Sequence, residues 1–215
     1  MEYLSQFIDI FLHLDKSLST VIQTFGSTTY IILFLVILCE TGLVVLPFLP
    51  GDSLLFAAGA FAAKGDMNVA SLLMALSVAA IIGDSINYEI GRLIGPKIAQ
   101  QERSRFINKE HIAKTHEFYE KYGSKTIIIA RFIPIIRTFA PFVAGLGNMS
   151  YKKFIRYNMV GGIAWISICL FAGYFFGNIS IVKQNFSLVI LAIIIVSLIP
   201  AVIEFIRHKS NSKAA

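Results

Sequence analysis

Apolar residues run along this chain in blocks too long for the helices of a soluble domain, and the polar positions that interrupt them define the expected elements. Tyr157–Val182 contains no charged residue, and neither does Gln184–Ile203. About 20 apolar residues cross a bilayer core, so the pattern predicts two transmembrane helices here. Met67–Gly83 is also uncharged and continues through Asp84 and Asn87 to Tyr88, which predicts a third span with polar groups near one end. Residues 4–22 differ. Leu4, Phe7, Ile8, Phe11, Leu18 and Ile22 recur at helical spacing, with Gln6, Asp9, His13 and Lys16 facing elsewhere. That pattern reads as a helix lying on the membrane surface, or as an ordinary N-terminal helix.

Two other apolar segments are broken. Residues 28–63 are interrupted by Glu40, Pro47, Pro50, Gly51 and Asp52, and residues 126–150 by Arg131, Pro134, Arg137 and Pro141, with Gly145 close behind. Proline removes a backbone donor and clashes with the preceding turn, so neither segment is expected to be one straight helix. Broken backbone at membrane depth is tolerated only against protein or a water-filled cavity. Both segments therefore read as re-entrant hairpins, with Pro47, Pro50, Gly51, Pro134, Pro141 and Gly145 as the hairpin-breaking positions.

Composition agrees with a membrane protein. Hydrophobic residues make up 56% of the 215 and charged ones 15%, against about 25% charged in soluble domains. The net charge of +6 would suggest nucleic acid in a soluble protein; here the basic residues read as topology signals, and no nucleic-acid partner is expected. Eight basic residues against four acids lie between Arg92 and Lys125. Lys152, Lys153 and Arg156 form a second basic segment, and Arg207, Lys209 and Lys213 a third. By the positive-inside rule all three are cytoplasmic. Segment 126–150 then enters and leaves from the cytoplasm, segment 28–63 opens outward, and the acidic N-terminus lies outside. The N-terminus has no basic region or cleavage site and is not expected to be a signal peptide.

Glycine spacing suggests an internal repeat. Gly65-Asp66-Met67 recurs as Gly147-Asn148-Met149, and Gly91 and Gly95 recur at the same offset as Gly173 and Gly177. The expected architecture is thus an all-α polytopic membrane protein in a single membrane domain. An inverted repeat (residues 4–95 and 104–177) carries two facing re-entrant hairpins, followed by a C-terminal span at 184–206 and a cytoplasmic tail at 207–215. About three full transmembrane helices are expected in all. Such repeats place transport sites at their interface.

Chemistry is expected where charge sits deep in apolar segments. Glu40, Asp52, Arg131 and Arg137 each cost about 2.5–3.5 kcal/mol at a helix centre, so they pair or line a wet cavity. They lock the hairpins together or they carry function. Two converging guanidiniums suit a phosphate, which makes Arg131 and Arg137 candidate substrate-binding residues. A carboxylate at low dielectric is driven toward protonation and a nearby arginine opposes this, so Glu40 and Asp52 are candidates for proton coupling. Asp84 and Asn87 either line the same cavity or bond to a neighbouring helix. Trp165 reads as a packing residue. Cys39 and Cys169 lie in apolar runs and read as buried free thiols. The histidines (13, 111, 116 and 208) are scattered, and no metal or cofactor is expected. Gly51-Asp52-Ser53-Leu54 spells the signature of a hydrolase family, but the Asp-x-x-His partner motif is missing and no enzyme activity is expected.

These motifs in their order carry a resemblance. Glu40-Thr41-Gly42 precedes Phe48-Leu49-Pro50-Gly51-Asp52; Arg131-Phe132-Ile133-Pro134 precedes Arg137-Thr138 and Ala144-Gly145; Gly173-Tyr174 closes a later span. The chain from about residue 5 to 209 resembles the bacterial DedA family, whose conserved region is also called the VTT or SNARE-associated domain. The resemblance implies a multi-pass inner-membrane protein with two facing re-entrant hairpins and critical acids and arginines at Glu40, Asp52, Arg131 and Arg137. It also implies a role linked to the proton motive force, with undecaprenyl phosphate translocation in some members. The expected function is translocation of an anionic lipid phosphate with protons as coupling ion. The alternatives are a proton-coupled antiporter of small cations or drugs, and a non-transporting scaffold for membrane homeostasis.

Overall fold

The computed structural model describes residues 14–43, 51–100, 125–147, 149–186, 188–189 and 191–193. Every regular element among them is helical. In chain order these are α1 (Leu14–Phe25), a 3-10 turn (Gly26–Thr28), α2 (Thr29–Gly42), α3 (Gly51–Ala63), α4 (Val69–Gln100), α5 (Thr126–Ala130), α6 (Pro134–Leu146), α7 (Tyr151–Phe176) and α8 (Ser180–Gln184). Pro47, Pro50, most of the expected 184–206 span, most of the basic loop and the four histidines fall outside the described residues.

Three helical stretches are long and apolar enough to cross a membrane: Leu18–Gly42, Val69–Ile94 and Tyr151–Phe176. The second and third match expected spans. The first departs from expectation, since the sequence pattern divides residues 4–22 and 28–63 between a surface helix and a hairpin. Gly26 lies at the junction of the two segments. Its φ of 52° turns the chain, a conformation open to glycine at little cost, and helical residues continue on either side of it. Gly51–Ala63 and Ile136–Leu146 are apolar helices too short to span.

The 126–150 segment breaks at one place. Arg131, Phe132 and Ile133 donate their amides to Ile128, Ile129 and Ala130, three residues back, which tightens the end of α5. Ile133 is extended (φ −112°, ψ 109°), as steric pressure from a following proline requires. Pro134 then opens α6, where its missing N–H costs nothing. Pro141 and Gly145 lie inside α6. They are not where the chain breaks, because proline within an apolar helix is tolerated when surrounding protein packs around it. Likewise Gly51 begins α3 rather than interrupting a helix.

The chain forms two compact units, each discontinuous in sequence. One comprises Met1–Phe34, Phe48–Leu76 and Ile166–Ala215. Within it α3 packs against the end of α7 at backbone distance. A methyl group on Gly59 would meet the Leu170 carbonyl at 2.0 Å and the Tyr174 amide at 2.9 Å. One on Gly173 would collide with the Phe56 carbonyl. The Asn68 amide donates to the Tyr30 hydroxyl at 2.7 Å.

The other unit comprises Leu35–Pro47 and Ser77–Trp165. Within it α6 packs against α4 in the same manner. A methyl on Gly145 would meet the Tyr88 carbonyl at 2.0 Å and the Arg92 amide at 2.8 Å, and one on Gly91 would meet the Phe142 carbonyl at 2.1 Å. Gly83 of α4 likewise admits the Thr41 hydroxyl and the backbone of Gly42 from α2. Tyr88, Ile127, Ala130, Ala140, Ala144 and Phe154 form its apolar core. Tyr88 stacks on Phe154 with ring centroids 4.5 Å apart and donates its hydroxyl to the Met149 carbonyl.

Candidate functional site

The second unit gathers most of the buried charge. Arg131 terminates α5 at the chain break, and Arg137 lies in the first turns of α6. Glu40 occupies the last turn of α2 and Asp84 the middle of α4. All four are buried. Arg137 Nη2 donates to Glu40 Oε1 at 2.5 Å. Arg131 Nη1 meets Asp84 Oδ2 at 2.7 Å. Two separate ion pairs thus stand in one unit, each joining an arginine of the 126–146 segment to a carboxylate of another helix.

Charge-assisted contacts of this length are the strong class of hydrogen bond. They are also what makes four ionised groups tolerable away from water, since each carboxylate is neutralised by a guanidinium.

Arg131 is held further. Its Nη1 donates to the side chain of Asn158 at 2.5 Å and to the Asn158 carbonyl at 3.1 Å, and its Nη2 to the Ala80 carbonyl at 3.1 Å. Asn158 passes the constraint on by donating from Nδ2 to the Ile81 carbonyl. The guanidinium lies against Gly162, where a methyl group would come within 3.2 Å of Nη1. Gly161 gives similar room to the aliphatic stem.

Both arginines also share one aromatic surface. The guanidinium carbon of Arg137 lies 4.6 Å from the centroid of Trp165, and that of Arg131 lies 5.8 Å from it. The indole face attracts cations at this range. Trp165 is buried, as a packing residue would be, but it packs against charge.

Asn87 stands one turn beyond Asp84 on α4 and is fully buried. Its Nδ2 donates to the Thr138 carbonyl at 2.7 Å and to the Thr41 carbonyl at 3.2 Å. Those carbonyls belong to the residues that follow Arg137 and Glu40, so Asn87 fixes the backbone on both sides of that ion pair.

Asp52 lies in the other unit. It occupies the first turn of α3, where a carboxylate suits the positive end of the helix dipole. The thiol of Cys169 approaches its Oδ1 at 4.0 Å. Both cysteines are free, but Cys39 is exposed and Cys169 half-buried, which corrects the expectation of two buried thiols. An apolar side chain in an apolar run faces lipid as readily as it faces the core. Among the described residues no cluster of His, Cys, Asp or Glu could hold a metal ion.

Charge at membrane depth does not single out Asn158, Gly161 or Gly162. The available signal was a single amide side chain in the first turns of an uncharged span, followed one turn later by a Gly-Gly pair.

The VTT domain family matches residues 49–175, which take in α3 through nearly all of α7. The chain is 52% identical to Protein DedA of Escherichia coli K12, with 100% of this chain and 99% of that protein covered. The chain belongs to the DedA family. Relatives of lower identity include an uncharacterized membrane protein of Mycobacterium leprae, 45% identical over 84% of this chain and 81% of its own length. The inner membrane protein YqjA of Escherichia coli K12 is 34% identical over 69% of this chain and 68% of its own length. No solved structure matches. As a DedA-family member the chain is a membrane protein, consistent with its three membrane-length helices.

Proposed function

We propose that this protein is an inner-membrane transporter that carries the phosphate headgroup of an anionic lipid, such as undecaprenyl phosphate, across the bilayer in a cycle linked to the proton motive force. The observation that carries this reading is the pair of buried guanidiniums of Arg131 and Arg137 on one indole, each ion-paired with a buried carboxylate.

The charge balance gives the coupling. Two arginines with Glu40 and Asp84 sum to zero. A phosphate entering with one or two negative charges must replace carboxylates as the partner of the guanidiniums. The released carboxylates remain in a low-dielectric site, where proton uptake restores neutrality. Headgroup binding and proton binding are thereby tied, and a proton gradient biases the direction of release. Asp52, at the start of α3, is the further candidate for this proton traffic.

Internal packing supports an inverted repeat. Phe56 and Gly59 of α3 meet Leu170, Gly173 and Tyr174 of α7; Phe142 and Gly145 of α6 meet Tyr88, Gly91 and Arg92 of α4. The α7 positions follow the α4 positions by 82 residues, the offset that also relates Gly65 to Gly147. Each short helix packs on the long helix of the other half. We take α2–α3 and α5–α6 as the two re-entrant hairpins and residues 4–95 and 104–177 as the two halves, in the manner of repeat-built transporters. By the positive-inside rule the basic segments favour a cytoplasmic C-terminus and an outside N-terminus. The name of the YqjA relative, an inner membrane protein, supports the same location for this chain.

Full-length protein reconstituted in vesicles tests the proposal. Polyprenyl phosphate is expected to cross the bilayer with wild-type protein and not with Arg137→Ala. Equal movement with both would rule out the headgroup role.

A further inference from the structure

The lipid-phosphate reading leaves open which phosphates the site accepts, and Asn87 bears on this. Its side chain is fully buried. Both hydrogen bonds of its Nδ2 go to backbone carbonyls, of Thr41 and Thr138. Carbonyls accept only, so these two contacts fix which end of the amide is nitrogen. The oxygen is therefore held in place as well, and among the described residues nothing donates to Oδ1. A buried acceptor left without a donor is costly, and such groups in native proteins call for an explanation.

The place of this acceptor restricts the donor. Thr138 and Thr41 directly follow Arg137 and Glu40, and Asp84 is one turn away on the same helix face. Among the described residues, the buried charged side chains are Glu40, Asp84, Arg131 and Arg137, and each belongs to one of the two ion pairs. Guanidiniums serve any phosphate oxygen that carries negative charge, whether of a monoester or a diester. An amide oxygen accepts only, so it is satisfied by a phosphate oxygen that still bears a proton. A phosphate monoester with one charge has such a P–OH group, its second ionisation lying near pH 6. A diester has none.

We propose that Asn87 is a specificity-determining residue of the headgroup site. Its Oδ1 accepts a hydrogen bond from the P–OH of a singly ionised phosphate monoester, so that the site prefers lipid monoesters over phosphodiester lipids. The preorganised acceptor adds a contact for one class and leaves an unsatisfied buried oxygen for the other, the kind of asymmetry by which polar sites reject analogues that lack a donor. The inference rests on the lipid-phosphate reading above and adds the ester class.

Two probes with one tail and one charge separate the possibilities. Full-length protein in detergent is titrated calorimetrically at about pH 5 with decyl phosphate and with decyl methyl phosphate, which differ by P–OH against P–OCH3. Wild-type protein is expected to bind the monoester about tenfold more tightly, the scale of one well-placed hydrogen bond. Asn87→Leu is expected to bind both probes equally, at or below the wild-type affinity for the diester because its two backbone contacts are lost as well, and Arg137→Ala to lose both. Equal binding by wild-type protein overturns the role of Asn87 while leaving the lipid-phosphate reading intact. A tenfold preference retained in Asn87→Leu also overturns it, because the discrimination would then be steric. Binding of neither probe to wild-type protein overturns the lipid-phosphate reading and this inference with it. If Asn87→Leu does not fold, Asn87→Ala removes the same oxygen without adding bulk, and the wild-type comparison needs no variant.

Discussion

Arg137 and Glu40, 97 residues apart in the chain, meet in a buried ion pair at 2.5 Å. The contact joins the end of α2 to the start of α6, so it fixes long-range structure as well as charge. Removing one partner strands the other's charge in a buried site. Arg137→Ala or Glu40→Ala is therefore expected to cost about 3–5 kcal/mol of stability. The double change Glu40→Met with Arg137→Met is expected to recover most of it, because well-packed apolar replacement of a pair is often neutral. Denaturation of the four proteins in one detergent checks this. Transport should be lost in all three variants, including the double one that is stable, which separates function from the lock-only role.

Gly162 gives Arg131 its place. A methyl group there would come 3.2 Å from Nη1 and 3.4 Å from the guanidinium carbon. Gly162→Ala is expected to displace Arg131 from Asp84 and Asn158, reducing transport several-fold with a stability loss of about 1 kcal/mol. A single-turnover transport measurement beside a thermal melt distinguishes this from general unfolding.

The glycine contacts between helices leave no such give. Gly59→Ala and Gly145→Ala each drive a methyl group to 2.0 Å of a backbone carbonyl. Backbone cannot rotate away as a side chain does, so each is expected to lower stability by about 3 kcal/mol or more, at or beyond the upper end of overpacking costs. Gly161→Ala, whose nearest neighbour is at 3.3 Å, is expected to cost far less. Comparative thermal denaturation of the three variants checks the order.

Trp165 serves two arginines with one ring. Trp165→Phe keeps an aromatic face and is expected to retain most headgroup binding. Trp165→Leu removes it and is expected to weaken binding by ~1–2 kcal/mol, the scale of desolvated cation–π contacts. Calorimetric titration with a monoalkyl phosphate reads the difference.

Much of the fold was legible because membrane insertion writes itself into composition. Uncharged runs of 17 residues or more marked α4 and α7. The proline at 134 marked the break before α6, since the residue ahead of a proline is pushed out of helical geometry. Pro141 gave the same local signal and had the opposite outcome, because tertiary packing decides whether a helix survives a proline. The charged residues of the site were visible as charge at membrane depth. Their partners were legible in part: Arg137 meets the hairpin acid Glu40, but Arg131 pairs with Asp84 of α4, and the hairpin acid Asp52 stands in the other unit beside Cys169. Which carboxylate meets which arginine depends on helix packing, which charge counting does not reveal. Asn158 and the Gly161-Gly162 pair were missed because amides and glycines have ordinary roles in membrane helices.

The proposed hairpins and orientation are tested by labelling. In a background with Cys39 and Cys169 replaced by serine, a cysteine at Lys64 is expected to react with an impermeant maleimide from outside. Cysteines at Lys125 and Ser150 are expected to react only from the cytoplasmic side. Reaction of those two from opposite sides would make the 126–150 segment a plain span.

The central claim is that the guanidinium pair carries a lipid phosphate while the carboxylates carry protons. The most direct measurement follows fluorescent or enzyme-accessible polyprenyl phosphate and internal pH together in vesicles holding the full-length protein. Lipid movement with simultaneous proton movement, both lost in Arg137→Ala, is the expected result. Lipid movement that persists in Arg137→Ala, or proton movement driven by small cations with no lipid movement, would contradict it.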